Sequence, residues 1–225
     1  LVFEPPSDVS SARRRLGLDD RFTFLFSFDF LSVVERKNPL GLLAAYRRAF
    51  GRDDGTRLIL KSINGDVFPR DKERIAAAVA DHDDVELWDR MLPAEDRLAL
   101  VAAADCYVSL HRAEGLGLTM AEAMAVGTPV VATGYSGNLD FMDDRSALLV
   151  PYDLIDVGPG HHYPAHGHWA EPDLDAAAAL MTSVREDASL RAGLVEAAAS
   201  ALEPFGYEQV GRIARDLLVS AWQAR

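Results

Sequence analysis

Two carboxylates, Glu114 and Glu122, stand with seven residues between them around a turn punctuated by Gly115 and Gly117. An apolar run, Cys106–Leu110, ends just before the turn, and a helical pattern begins near Leu118 and runs through Met120–Ala125. A helix start offers backbone N–H groups without intrahelical acceptors and the positive end of a dipole, which together attract phosphate. Glycine lets the backbone approach an anion closely. Each carboxylate can accept two hydroxyls. Loop reach and helical rise put the two carboxylates on the order of 10 Å apart. A ligand with hydroxyl-rich groups at both ends and phosphates between them, as in a nucleotide sugar, suits that layout, with the amides of Gly117, Leu118 and Thr119 on the phosphate. The spacing equally admits a plainer role, in which Glu122 favours a helix start and Glu114 is a solvated loop charge.

Other residues carry weaker signals. Arg36 and Lys37 stand just before a helix that begins at Asn38-Pro39. A helix start is unfavourable for cations, so an anion is expected beside them. His111 follows a strand end next to Glu114; it either touches a sugar or phosphate or is a buried hydrogen-bonded histidine. Lys61 ends the second strand and is a second-rank phosphate candidate. Trp88, Arg90 and Met91 follow the third strand and are candidates for a base pocket. His161, His162, His166 and His168 lie near Asp153, Asp156 and Glu171, but no cysteine accompanies them. They read as loop histidines, and no metal or other cofactor is expected. Cys106 sits inside an apolar run and reads as core.

The elements that must position these residues alternate along the chain. Strands are predicted at Phe22–Phe28, Arg57–Lys61, Val85–Leu87, Cys106–Leu110, Pro129–Ala132 and Ala147–Val150. Helices are predicted at Asn38–Phe50, Arg70–Ala80, Pro93–Ala104 and Met120–Ala125. Most of the strands are continuous apolar runs, as buried parallel strands are. Strand–helix alternation implies a doubly wound α/β fold with a parallel sheet, in which ligands sit beyond the carboxyl ends of the strands. The places to search are therefore the loops after Phe28, Leu110 and Thr133. Residues 152–172 carry three Gly, three Pro and four His and read as a long loop excursion. Helices follow over Asp173–Arg185, with Asp173 as its cap, and over Ser189–Leu202. A last helix over 205–225 has Val210, Ile213, Leu217 and Ala221 along one side.

Composition excludes several classes. The chain has 225 residues, 35 acidic against 23 basic, and a formal charge of −12. That balance argues against nucleic acid as the partner, which needs a basic face. One cysteine excludes a disulfide framework and fits a reducing, cytoplasmic setting. No apolar run reaches the ~18 residues of a membrane span. The length fits one domain, residues 1–225, with residues 1–20 as connector and lead-in.

The stretch Glu114–Glu122, followed by Ala123-Met124-Ala125-Val126-Gly127-Thr128-Pro129-Val130-Val131-Ala132, resembles the signature of glycosyltransferase family 4, the group 1 glycosyltransferases. Gly134-Tyr135-Ser136-Gly137-Asn138-Leu139-Asp140 is similar to the glycine-rich loop that follows it there, and the match runs in register from Phe22 to Val150. The resemblance implies the C-terminal, donor-binding half of a retaining GT-B enzyme. Such an enzyme transfers a sugar from a nucleoside-diphosphate sugar to an acceptor hydroxyl. It implies that Glu114 contacts the donor sugar, with His111 beside it, and that Glu122 contacts the ribose. It places the diphosphate on a lysine matching Lys37 and on an arginine six residues earlier. Here that earlier position is Leu31, so Arg36 or Ser32 is expected to take its place. Glu114 and Lys37 are then the residues expected to act in catalysis.

The resemblance further implies that an N-terminal, acceptor-binding half is a missing partner, with Leu1–Pro6 the cut connector to it, and that any membrane association runs through that half. Two alternatives are a nucleotide-sugar-binding or regulatory half without activity of its own and, further off, an epimerase of the same fold.

Overall fold

The computed structural model describes Phe3, residues 8–160 and residues 162–223. The connector expected at Leu1–Pro6, Phe3 apart, and His161 lie outside the described residues.

Six parallel strands form the main sheet: β1 (Phe22–Asp29), β2 (Thr56–Ile63), β3 (Val85–Asp89), β4 (Cys106–Ser109), β5 (Val130–Thr133) and β6 (Leu148–Val150). Their order is β3-β2-β1-β4-β5-β6. The chain thus winds outward from β1 in one direction and then crosses to β4 and winds outward in the other. Phe24–Phe26, Leu58–Leu60 and Tyr107–Val108 are buried on both sheet faces. That burial is why these strands read as unbroken apolar runs rather than as an alternation.

Helices cover both faces: α1 (Val9–Arg15), α2 (Val34–Lys37), α3 (Pro39–Ala49), α4 (Pro69–Val79), α5 (Ala94–Ala103), α6 (Leu118–Ala125), α7 (Leu174–Glu186) and α8 (Ala188–Leu202). Their ends follow local chemistry. Proline opens α3 and α4, where a missing N–H costs nothing. Asp173 caps α7 by accepting from the amides of Asp175 and Ala176, an arrangement worth ~1 kcal/mol. On α3, Tyr46 and Phe50 pack on Phe24 of β1 with ring centroids 6.0 and 5.2 Å away. The Tyr46 hydroxyl pairs with Thr56 Oγ1 at 2.8 Å. Cys106 is fully buried in β4 and its thiol pKa is pushed up by desolvation.

Two segments differ from the sequence reading, and a third forms as expected but lies uncovered. Residues 152–172, expected as a loop excursion, form an antiparallel hairpin, β7 (Tyr152–Asp156) paired with β8 (His168–Pro172). Every residue of β7 is exposed, so no buried alternation marks the strand. Trp169 is buried beneath the hairpin, with the Arg112 guanidinium 5.5 Å over its ring. The lead-in over residues 1–20 contains α1, which buries Ala12 and, along its length, little else. The last helix, α9 (Tyr207–Gln223), forms where expected, but its apolar stripe has no partner among the described residues; Val210, Ile213, Leu217 and Trp222 are all exposed.

Candidate functional site

The chain reverses its winding between β1 and β4, and there a cleft of about 360 Å³ opens at the carboxyl edge of the sheet. Open α/β sheets bind ligands at this position. Its walls come from the exit of β1 (Asp29, Ser32), from Lys37, from the start of α6 (Leu118, Thr119, Glu122) and from α5.

Asn38 holds the first loop in place. It adopts a left-handed conformation (φ 55°), ending α2 and beginning α3. Its side-chain oxygen accepts from the Gly41 amide at 3.1 Å and its side-chain nitrogen donates to the Leu110 carbonyl at 2.9 Å. This ties α2 to the exit of β4. Three further bonds join the same segments: Arg112 N–H to the Arg36 carbonyl at 2.8 Å, Arg112 Nη1 to the Glu35 carbonyl at 3.0 Å and Arg36 Nη1 to the Ala113 carbonyl at 2.8 Å.

The result is a compact charge cluster. Lys37 Nζ lies 2.5 Å from Glu114 Oε2, and Arg36 Nη1 lies 3.8 Å from Glu114 Oε1. Burial pushes the Glu114 carboxyl up; the charges of Lys37 and Arg36 and the Lys37 hydrogen bond outweigh it and leave its pKa below the ordinary value. Arg36 Nε is buried without a hydrogen-bond partner among the described residues.

A second loop clasps the Glu114 turn from the other side. Ser136 Oγ accepts from the Glu114 amide at 2.8 Å, and the Gly137 amide donates to the Glu114 carbonyl at 3.2 Å. A Cβ on Gly137 would stand 2.0 Å from the Gly115 carbonyl oxygen, so this approach requires glycine. A Cβ on Gly115 would meet nothing within 4 Å. Gly117 (φ 88°) precedes α6, whose first amides receive no side-chain cap.

Glu122 projects from the first turns of α6 into the cleft. Burial raises its pKa, partly offset by Arg97, whose Nη1 is 3.9 Å from Glu122 Oε1. A carboxylate with so weak an internal partner keeps acceptor capacity for a ligand hydroxyl.

The cleft therefore brings together Ser32, Lys37, Lys61, Leu118, Thr119, Glu122 and Met91 of the sequence candidates, whereas Arg36, Glu114 and Gly117 are not among its lining residues. Others stand elsewhere. His111 is fully buried; its Nδ1 is 3.0 Å from Ser109 Oγ, and its Nε2 is 3.1 Å from both the Tyr135 carbonyl and Asn138 Oδ1. Because Nε2 faces two oxygens, with Asn138 Nδ2 donating to the Thr133 carbonyl, it carries the ring proton and Nδ1 accepts. Burial lowers the His111 pKa, which keeps it neutral. Trp88 and Arg90 are outside the cleft lining and stack on one another, guanidinium 4.8 Å from the ring centroid. Their positions follow from β3, which runs two residues beyond its predicted end. Leu31 is 64% exposed at the position of the expected arginine.

Asp29, Arg97, Leu100 and Val101 also line the cleft without having been singled out. On the hairpin, His168 Nε2 pairs with Asp156 Oδ1 at 3.2 Å. Among the described residues no three or more His, Cys, Asp or Glu are grouped to hold a metal ion.

A parallel sheet with a reversal of strand order, and a cleft at that reversal rimmed by an uncapped helix start, define a Rossmann-type ligand-binding domain. Comparison with known proteins gives the family. The model of the group 1 glycosyl transferases matches residues 22–156, and the chain belongs to that family. It is 31% identical over 153 residues to the lipopolysaccharide core biosynthesis mannosyltransferase LpsB of Rhizobium meliloti, spanning 58% of this chain and 37% of that one.

Among solved structures it superposes on Anabaena HepE in complex with UDP and glucose with a TM-score of 0.71 at 19% identity. The match covers 96% of this chain and 53% of HepE. It superposes on the C-terminal domain of the group 1 glycosyl transferase LpcC from Francisella tularensis with a TM-score of 0.64 at 16% identity, covering 89% of this chain and 94% of that domain. The fold is the Rossmann-like α/β fold of GT-B glycosyltransferases. The chain spans well under two thirds of LpsB and of HepE. No described helix is long and apolar enough to cross a membrane.

Proposed function

We propose that this chain is the donor-binding, C-terminal half of a retaining glycosyltransferase of family 4. In this reading the whole enzyme moves a sugar from a nucleoside diphosphate to an acceptor hydroxyl. The observation that carries the reading is that Glu122 and the uncapped start of α6 open onto the same cleft as Lys37. A candidate acceptor for ribose hydroxyls, a set of amides for phosphate and a cation thus face one cleft. The UDP complex of HepE, a structural neighbour, and the match to an isolated C-terminal domain support it.

In the transfer the bond between the sugar and the terminal phosphate oxygen breaks, and negative charge grows on the leaving diphosphate. The amides of Gly117, Leu118 and Thr119, the Ser32 hydroxyl and the cations Lys37 and Arg36 are the groups positioned to stabilise it. Fixed donors of this kind act without reorganising. Glu122 holds the ribose and Glu114 the transferred sugar. His111, with both ring nitrogens engaged, acts on the sugar subsite from behind by fixing the loop of Tyr135–Asn138. No side chain is assigned as general base, and the leaving phosphate is left to take the acceptor proton. The acceptor surface belongs to the half that this chain does not include.

Calorimetric titration with UDP, GDP and ADP tests the proposal, with Glu122→Ala beside the native chain. At least one diphosphate should bind, and Glu122→Ala should weaken it tenfold or more. No binding by any of the three would sink the reading. Binding without hydrolysis or transfer by the chain alone is the expected behaviour of a half-enzyme.

A further inference from the structure

Lys61 is the one cation on the cleft wall that is more than nine-tenths buried, at 8% exposure, among the described residues. It stands at the carboxyl end of β2, paired in register with Ser27 of β1. β2 lies two strand spacings from β4, roughly 10 Å at ~4.8 Å per strand. The phosphate-facing turn follows β4, so Lys61 marks the far end of the cleft. The walls around it are apolar: Ile63, Met91, Leu92, Leu100 and Val101. Such walls accept the faces of a flat ring without reading its edge. Among these apolar walls the polar side chain able to read the edge is that of Lys61, buried between them.

Its ammonium is already aimed. Nζ donates to the Ser62 carbonyl at 2.7 Å and to the Arg90 carbonyl at 2.5 Å. The nearby Asp89 carboxylate is taken by Lys72 Nζ at 2.7 Å and Ser62 Oγ at 3.0 Å. An ammonium has three N–H groups and no lone pair. Two are held by the carbonyls, which leaves one donor on a side chain that lines the cleft, and no described acceptor takes it. The bond to Arg90 also pins the chain just after β3, where Met91 and Leu92 form the rim.

We propose that Lys61 selects the nucleobase: it donates to a keto oxygen, O4 of uracil or O6 of guanine, and rejects the amino group that cytosine and adenine carry at the same place. The proposal rests on the nucleotide-sugar reading above. Uracil and cytosine, like guanine and adenine, are nearly equal in shape and differ at this edge between acceptor and donor. An amino group facing a fixed ammonium leaves N–H against N–H, with neither satisfied. Sites built to hydrogen-bond one group discriminate strongly against an analogue that cannot complete the bond. Lys61 therefore moves from the phosphate end of the cleft to the base end.

The experiment is calorimetric titration with UDP, CDP, GDP and ADP of the native chain and of Lys61→Met. UDP should bind at least tenfold more tightly than CDP, or GDP than ADP. In Lys61→Met that gap should close, by loss of keto-base affinity and a gain for CDP and ADP once the ammonium is gone; a gap that survives would overturn the proposal. A merely structural lysine would weaken all four alike, and that result would overturn the proposal. So would equal binding of all four to the native chain, or tighter binding of CDP and ADP; these two tests need no variant. Failure of all four to bind would remove the donor-site reading, and this inference with it.

Discussion

Lys37 and Glu114, 77 residues apart in sequence, meet with Nζ 2.5 Å from Oε2. Each thereby occupies the charge that the other would offer a ligand. In the proposed donor site a diphosphate would compete with Glu114 for Lys37, and a sugar hydroxyl would compete with Lys37 for Glu114.

Removing that competition should strengthen product-like binding. Glu114→Gln keeps the shape and removes the charge, which frees Lys37 and Arg36 for phosphate. Affinity for whichever of UDP, GDP and ADP binds the native chain, measured by calorimetry, is expected to rise about three- to tenfold, or roughly 0.7–1.4 kcal/mol. The same change leaves two half-buried cations uncompensated, so urea unfolding should show a loss on the order of 1–3 kcal/mol. Weaker diphosphate binding with unchanged stability would contradict the pairing.

Asn38 joins three functions at one residue, and its loss should be costly. Asn38→Ala removes the cap on α3, leaves the Leu110 carbonyl without its donor and puts alanine at φ 55°. A lost cap costs ~1 kcal/mol, and a left-handed alanine adds about 1 kcal/mol. Chemical denaturation should record a loss of about 2 kcal/mol or more. Asn38→Gly, which tolerates the backbone angle, should lose less.

Gly137→Ala tests the contact between the two loops. A Cβ there collides with the backbone of Gly115, which no side-chain rotation can relieve. Nucleotide binding should fall at least tenfold, because the Glu114 turn must shift; unchanged affinity would show that the clasp is dispensable.

The buried neutral His111 makes stability depend on pH. Its folded pKa lies below the ordinary value of 6.5, so below that pH the unfolded chain binds a proton that the folded chain does not. Stability rises with pH wherever the unfolded state holds more protons. The contribution of His111 is therefore present in full above about 6.5 and is lost as pH falls from there through the folded value. Melting temperatures between pH 7.5 and 5.5 should fall in the native chain. They should fall less steeply in His111→Asn, whatever its absolute stability.

Because α9 buries nothing among the described residues, removing residues 207–225 should change the unfolding free energy by less than about 0.5 kcal/mol, as surface changes do. A larger loss would mean that its exposed stripe is covered in solution.

The strands were legible because β1, β2, β4 and β5 are buried on both faces, which forces unbroken apolar sequence. Helix boundaries were legible where Pro39, Pro69 and Asp173 mark them. The β7–β8 hairpin was not, since β7 is exposed throughout and needs no pattern, and the three Gly and two of the three Pro sit in the connection. Nor was α1, with one buried alanine. At the site, the glycine-punctuated turn together with the family resemblance pointed to Glu122 and Lys37, which do line one cleft, because a strand-to-helix turn is written in adjacent residues. The Lys37–Glu114 ion pair depends on packing between distant segments, which spacing cannot report. The stacking of Arg90 on Trp88 likewise follows from how far β3 extends, a boundary that short apolar runs leave vague.

Cys106, the single cysteine, lies within β4 without exposure and with its thiol held protonated. Thiolate is the reactive form, so the native chain offers maleimide reagents no target. A fluorophore on Met91→Cys, at a rim position 74% exposed, would then be the only label on the molecule. Its emission could report occupancy of the cleft without background from any other site.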